Sequence, residues 1–222
     1  MNWIKQLVDH RRRARGLKDL PLNQARLVVV DVETTGLDTE RDDLLSIGAV
    51  VVQRRCVDLS QQFERTLRQP TSGRVGSILI HGITPTELAR GQDPKRALTD
   101  FLEFVGHSPV FAFHAPFDRR VLRRAVKKHL GSSFDNPFLD LADIAPALLA
   151  DIAPARAGLD EWLQACGLQV SERHHAAADA LATAELLLVV LQRAHRMGLT
   201  TLGELMAKTH ATRQLEHMRL PH

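Results

Sequence analysis

Apolar residues occur along the chain both in continuous runs and at helical spacing, a pattern that predicts an α/β protein. Continuous runs rich in β-branched residues predict buried strands at Leu27–Val30 and Val110–Phe113, because a strand covered on both faces needs no polar side. Two further strands are expected over 44–52 and about 57–67. Short links join the first three strands, so we expect a mixed sheet that begins as an antiparallel meander.

Helical spacing of apolar residues predicts several helices. Thr84 followed by Pro85 is typical of an N-cap and a first helical residue, and Thr201 with Glu204 forms a capping-box pattern. The helices are expected over about 1–20, from Thr84 onwards, over 94–105, 116–129, 159–166 and 176–197, and from Thr201 onwards.

The composition is that of a globular protein, with 44% apolar and 25% charged residues. No apolar run reaches the roughly 18–20 residues that a membrane-spanning helix needs, and the N-terminus has no secretion signal pattern. Two cysteines are too few for a disulfide framework or a thiolate zinc site. We therefore expect a cytoplasmic protein with no membrane partner.

Charge is unevenly distributed, with Lys and Arg in excess at both ends and Asp and Glu in excess between them. An acidic body with basic ends fits a protein that gathers carboxylates for metal ions and also meets a polyanion. Solvated helix faces explain the same distribution equally well.

Asp31 and Glu33 stand at the end of the first predicted strand, just before a Thr-Thr-Gly turn. Side chains two residues apart on a strand share a face. Two carboxylates held together repel each other unless a cation lies between them, and hard oxygen ligands suit Mg²⁺ or Mn²⁺. The alternative is a strand-end pair that faces water.

Two more carboxylates and a histidine stand at helix starts. Asp118 follows the fourth strand, and Asp179 lies among alanines that let its helix approach other elements closely. His174 precedes that helix in a loop, where a near-neutral pKa suits a general base for water. Taken singly, these residues are also explained by a helix N-terminus or an exposed loop. Four carboxylates could together hold two metal ions about 3.5–4 Å apart.

These residues resemble the three motifs of the DEDDh, or DnaQ-like, 3′–5′ exonuclease family, which includes the epsilon proofreading subunit of bacterial DNA polymerase III. The motifs are Asp31 to Leu37, His114 to Asp118 and His174 to Asp179. The resemblance covers roughly residues 26–193 and implies an RNase H-like fold, a five-stranded mixed sheet flanked by helices. Residues 1–25 and 194–222 would then be short helical extensions.

The resemblance also implies roles for individual residues. His174 becomes the general base, although the adjacent His175 is an alternative, since a sister group places tyrosine at that position and this chain has no tyrosine. The metal ligands, for two Mg²⁺ or Mn²⁺ ions, are Asp31, Glu33, Asp118 and Asp179, and the terminal-nucleotide pocket contains Thr34, Leu37, His81 and Phe117.

Two features leave substrate contacts open. His114 occupies the usual Asn position of the second motif, and an imidazole differs from an amide in shape and charge. The following helix carries six cations that either track a phosphate backbone or form an ordinary solvated face. They are Arg119, Arg120, Arg123, Arg124, Lys127 and Lys128.

The resulting prediction is a metal-dependent 3′–5′ exonuclease that releases nucleoside 5′-monophosphates from single-stranded DNA in proofreading or repair. One alternative is an exoribonuclease that trims RNA 3′ ends; another is a non-catalytic nucleic-acid-binding protein on the same fold. The expected partners are DNA or RNA 3′ ends, with a DNA polymerase subunit as a further candidate. The sequence does not indicate an oligomeric state.

Overall fold

A five-stranded sheet with the order β3–β2–β1–β4–β5 forms the centre of the protein. The computed structural model describes residues 16–69, 82–152, 158–169 and 175–219. The strands are β1 (Leu27–Thr34), β2 (Leu44–Gln53), β3 (Cys56–Thr66), β4 (Val110–Ala112) and β5 (Phe138–Asp140).

Seven helices longer than one turn lie in the described residues. All the helices predicted there are present within a few residues of the expected bounds, and the capping box at Thr201 forms as predicted. Thr84 is the predicted N-cap, and Glu87 completes a capping box there that was not predicted. The helices are α1 (Pro85–Arg90), α2 (Pro94–Val105), α3 (Ala115–Leu130), α4 (Leu141–Leu149), α5 (Leu159–Ala165), α6 (Ala176–Arg196) and α7 (Leu202–Arg219).

Helix α4 was not predicted. It contains Pro146, a residue type that ordinarily argues against a continuous helix. Its start is fixed instead by Asp140, whose side chain accepts a hydrogen bond from the backbone N–H of Ala142. The short strand β5 immediately before it was expected only from the family resemblance.

The sheet is mixed, as the link lengths predicted. β1 pairs antiparallel with β2, and β2 pairs antiparallel with β3. β4 is parallel to both β1 and β5. β1 continues four residues beyond the predicted Val30, so Asp31 and Glu33 lie on the strand itself.

Helices cover both faces of the sheet, which explains the uninterrupted apolar run in β1. Leu27 and Val29 pack into one core with α4, α5, α6 and α7. Val28 and Val30 pack into a second core with α2 and α3. Since side chains alternate along a strand, Asp31 and Glu33 face the same side as Leu27 and Val29, towards α6.

The described parts of both terminal segments pack onto this domain. Leu22, Leu202 and Leu205 are buried in the core on the α6 side of the sheet. The backbone N–H of Leu22 donates to the carbonyl of Thr200 at 2.9 Å, and that of Leu202 donates to Leu20 at 3.0 Å. Residues 1–15 of the expected basic helix lie outside the described residues, and the domain limits at 25/26 and 193/194 stay predictions.

Within the described residues, the helices are too short or too polar to cross a lipid bilayer.

Candidate active site

Three of the four predicted carboxylates meet at the end of β1. One oxygen from each of Asp31, Glu33 and Asp179 lies within 4.8 Å of the other two. Asp179 is buried, and the other two are half-buried. Mutual repulsion makes such a group unfavourable without a cation, and its all-oxygen donor set suits a hard divalent ion such as Mg²⁺ or Mn²⁺. The residues present therefore fit a metal site.

A glycine in β2 allows the helix that carries Asp179 to approach the sheet. Gly48 pairs with Asp31 in the β1–β2 register. A Cβ at Gly48 would lie 2.1 Å from the carbonyl carbon of Ala176, the first residue of α6. Sequence reasoning missed Gly48, although a glycine inside a strand is a recognised signal of close backbone approach.

Asp118 reaches the same end of β1 from the opposite face of the sheet. It lies in the first turn of α3 and is only 4% exposed. Burial raises its pKa well above the ordinary value, hydrogen bonds from the backbone N–H groups of Asp118 and Val32 lower it, and the charges of Asp140 and Glu33 raise it. Asp118 is not among the three residues whose oxygens lie within 4.8 Å of one another. It is nevertheless near enough for the charge of Glu33 to raise its pKa.

Asp140 holds the helix start that carries Asp118. Its Oδ1 accepts hydrogen bonds from the backbone N–H of His114 at 2.9 Å and of Ala142 at 3.0 Å. Burial raises the pKa of Asp140, the hydrogen bond from Ala142 opposes that rise, and the charge of Asp143 adds to it. A single carboxylate thus connects the starts of α3 and α4. The sequence indicated Asp140 only as a residue that precedes the third motif.

The backbone of His114 explains why few residue types suit this position. His114 is the N-cap of α3 and has φ 62° and ψ 44°, in the left-handed region. Among non-glycine residues, Asn, Asp and His are enriched there. His114 thus fits the backbone conformation that the usual Asn of this motif would also tolerate, and its imidazole is exposed.

The loop after β1 is organised by a buried aspartate. Asp42 accepts hydrogen bonds from the Thr35 hydroxyl at 2.9 Å and from the backbone N–H of Asp38 at 2.8 Å. A Cβ at Gly36 would lie 2.5 Å from Asp42 Oδ2. Leu37, in the same loop, is 89% exposed, so an apolar side chain faces solvent in the turn that follows β1.

The other predicted pocket residues have mixed outcomes. The Thr34 hydroxyl donates to the carbonyl of Gly36 at 2.6 Å. Phe117, next to Asp118, is half-buried against the core formed by α2 and α3. His81 lies outside the described residues.

His174, the predicted base, also lies outside the described residues, whereas its neighbour His175 is described. His175 is the N-cap residue of α6. Its Nε2 lies 3.0 Å from Oε1 of Glu64 on β3. That contact holds one nitrogen of the His175 ring against β3.

The cations of α3 do not form one free surface. Arg123 Nε donates to the carbonyl of Phe134 at 2.9 Å, and Lys128 forms an ion pair with Asp43 at 3.0 Å. Lys127 approaches the carbonyl of Gly131 at 3.4 Å. Half of the six cations therefore have contacts within the protein, while Arg119 and Arg120 are exposed.

Comparison with known proteins identifies relatives across most of the chain. The model of the RNase_T family, described as exonuclease, matches residues 28–187. The PolC-type DNA polymerase III of Thermotoga petrophila is 31% identical over 84% of this chain and 13% of its own length. An epsilon-like DNA polymerase III subunit protein of Rhodobacter capsulatus is 32% identical over 86% of this chain and 27% of its own. The chain thus spans only a small part of these relatives.

Solved structures of exonuclease I share the fold. One superimposes with a TM-score of 0.66 and 21% identity, over 78% of this chain and 42% of the other. The structure of E. coli exonuclease I in complex with a dT13 oligonucleotide superimposes with a TM-score of 0.65 and 22% identity, over the same shares of the two chains. At this identity the likeness establishes the architecture, which is the five-stranded mixed sheet expected from the motifs.

Proposed function

Because the chain belongs to the RNase_T exonuclease family, we propose that it removes nucleotides from the 3′ end of single-stranded DNA and releases nucleoside 5′-monophosphates. The observation that carries this proposal is the meeting of the Asp31, Glu33 and Asp179 carboxylates within 4.8 Å. A metal-dependent phosphodiester hydrolase uses such a group to hold cations where charge develops on phosphate oxygens.

Each carboxylate has a distinct place in the proposed site. Asp31, Glu33 and Asp179 would hold one ion between them, and Asp118, beside Glu33, would complete the ligand set for a second. Two Mg²⁺ or Mn²⁺ ions, when bound, would stabilise the attacking and leaving oxygens. Their charge would also offset the repulsion and burial that raise the pKa of Asp118.

His174 is the proposed general base, which takes the proton from the attacking water. Water as nucleophile requires no covalent enzyme intermediate. The contact between His175 Nε2 and Glu64 supports His174 rather than His175 in this role, because it directs one ring nitrogen of His175 to β3.

Stacking would hold the terminal nucleotide. Leu37 is exposed in the turn that follows β1, and Phe117 adjoins Asp118 in α3. Apolar and aromatic side chains bind every base with little sequence preference, which suits an enzyme that removes nucleotides one after another. Thr34 and His81 are proposed as further pocket residues.

The names of the relatives support DNA as the substrate and a DNA polymerase subunit as a partner, since two of them are DNA polymerase III proteins. Proofreading or repair would be the pathway and the cytoplasm the location.

The direct test is a gel time course with 5′-labelled single-stranded DNA and RNA of one sequence, with Mg²⁺, Mn²⁺ or EDTA. We expect a ladder that shortens from the 3′ end, is faster on DNA and disappears in EDTA. The matched control is Asp31→Ala, which should fold and be inactive. Hydrolysis in EDTA, or an active Asp31→Ala protein, would contradict the proposal, and faster loss of RNA would favour an exoribonuclease.

A further inference from the structure

A second cleft, of about 330 Å³, opens between α3 and α7. Ala115 and Pro116, the first residues of the helix that carries Asp118, form part of one wall. Asp140, whose charge acts on Asp118, also lines the cleft. The cleft therefore adjoins the start of α3, one turn from a proposed metal ligand.

The opposite wall comes from α7, which lies beyond the region that the family model matches. Met206, His210 and Arg213 of α7 line it. The cleft is thus built partly by a segment that the RNase_T resemblance does not assign to any function.

Among the described residues, the two carboxylates that line the cleft already have partners. Asp143 forms an ion pair with Arg213 at 2.6 Å, and Asp140 accepts hydrogen bonds from two backbone N–H groups. Both carboxylates are therefore compensated. Arg119 is exposed and forms no hydrogen bond or ion pair with another described residue, so its guanidinium is available to an anion.

The other lining residues suit a nucleotide. Pro116, Ile144 and Met206 provide apolar surface, and His210 and Arg213 provide polar groups beside it. A volume of about 330 Å³ is at the lower end of the range for small-molecule sites. An apolar surface for a base beside a guanidinium for a phosphate is how proteins commonly bind single-stranded nucleic acid.

We propose that this cleft binds a nucleotide of the substrate strand upstream of the scissile bond, with the phosphate against Arg119. The assignment rests on the proposed exonuclease function and adds a site to it. A contact upstream of the reacting phosphate would hold the strand after each terminal nucleotide leaves.

The test uses the full chain with Asp31→Asn, so that binding is measured without cleavage. Arg119→Ala and Arg213→Gln are added separately to this background, and Arg96→Ala, an exposed arginine on α2, is the matched control. Fluorescence anisotropy follows a labelled single-stranded 12-mer at several salt concentrations, with unlabelled dinucleotides and 12-mers of DNA and RNA as competitors. Circular dichroism checks that each variant is folded.

We expect Arg119→Ala to weaken 12-mer binding about five- to tenfold and to reduce the salt slope by about 0.7, the value for one contact to single-stranded phosphate. Arg213→Gln should also weaken binding, because it leaves the Asp143 carboxylate uncompensated in the cleft. Dinucleotide binding should weaken less than 12-mer binding, because the proposed contact lies upstream of the terminal nucleotide.

Unchanged 12-mer affinity in Arg119→Ala, an equal loss in Arg96→Ala, or an equal loss for dinucleotides would overturn the proposal. Failure of the two hypotheses is distinguishable. If the wild type hydrolyses DNA but binding does not depend on Arg119, only the proposal of a nucleotide site in the cleft is rejected. If binding depends on Arg119 but the wild type hydrolyses neither DNA nor RNA, the proposed exonuclease function is rejected. The cleft would then still be a nucleic-acid-binding site.

Discussion

Gly48 of β2 lies directly against Ala176, the first residue of α6: a Cβ on the glycine would lie 2.1 Å from the alanine carbonyl carbon. The same glycine pairs with Asp31 across the sheet. The helix that carries Asp179 therefore rests on the residue opposite Asp31, and this contact sets the separation of the two carboxylates.

Gly48→Ala should consequently push α6 away from the sheet. We expect a loss of about 1–3 kcal/mol of stability from overpacking, or several °C in Tm, and at least about tenfold lower activity because carboxylate geometry is critical. Thermal unfolding measures the loss of stability, and the nuclease assay measures the loss of activity. Gly16→Ala is the control, since a Cβ there meets nothing within 4 Å. Equal behaviour of the two variants would refute the role of Gly48.

Metal binding should stabilise the protein through the carboxylate group at the end of β1. A ligand at one hundred times its Kd adds about 2.7 kcal/mol, so Mn²⁺ or Mg²⁺ should raise the Tm above its value in EDTA. Asp179→Asn should reduce this rise, whereas Glu185→Gln on the same helix should keep it. A rise of the same size in both variants would place the metal elsewhere.

Asp118→Asn should stabilise the metal-free protein while it inactivates the enzyme. Because the folded-state pKa of Asp118 is raised, its ionisation costs stability as the pH rises above about 4. The amide removes that cost and keeps an acceptor for the backbone N–H groups. We expect a higher free energy of unfolding at pH 7, measured by urea unfolding in EDTA, and a smaller gain near pH 4. A less stable variant at pH 7 would show that the carboxylate is favourable without metal.

The two adjacent histidines should differ sharply in their effect on catalysis. His174→Ala should lower kcat by about 10²–10⁴-fold, as expected for loss of a general base. His175→Ala removes only an exposed contact with Glu64, and even an exposed ion pair contributes only about 0–1 kcal/mol, so activity should stay within about threefold. Single-turnover rates over a pH range would compare them. If His175→Ala lowers the rate more than His174→Ala does, His175 rather than His174 would be the general base.

Asp140 should position the start of α3 rather than react. Asp140→Asn keeps an oxygen that can accept from His114 and Ala142, whereas Asp140→Ala leaves both backbone N–H groups without that acceptor. We expect Asp140→Ala to weaken Mn²⁺ binding about tenfold or more and Asp140→Asn to restore most of it, by calorimetric titration. Equal metal affinity in wild type and Asp140→Ala would exclude a positioning role.

Local pattern was sufficient wherever a residue's role depends on its immediate neighbours. The period-two spacing of Asp31 and Glu33 placed both on one face, and the Thr201–Glu204 capping box located the start of α7. It was insufficient for Asp140, whose importance comes from two backbone N–H groups on different helices. Local pattern also left two explanations open for the cations on α3, because the contacts of Arg123 with Phe134 and of Lys128 with Asp43 lie outside that helix.

The sequence by itself determined the family, the mixed sheet and the residue types that can bind a divalent ion, because motif spacing and apolar periodicity are local properties of the chain. Tertiary structure alone decided which carboxylates meet, since that depends on how closely α6 approaches β2 at Gly48. It also decided that His114 takes a left-handed backbone and that α7 completes a cleft beside α3. The approach of α6 to β2 and of α7 to α3 joins segments far apart in the chain. The distances between such segments depend on packing, which a local sequence pattern does not predict.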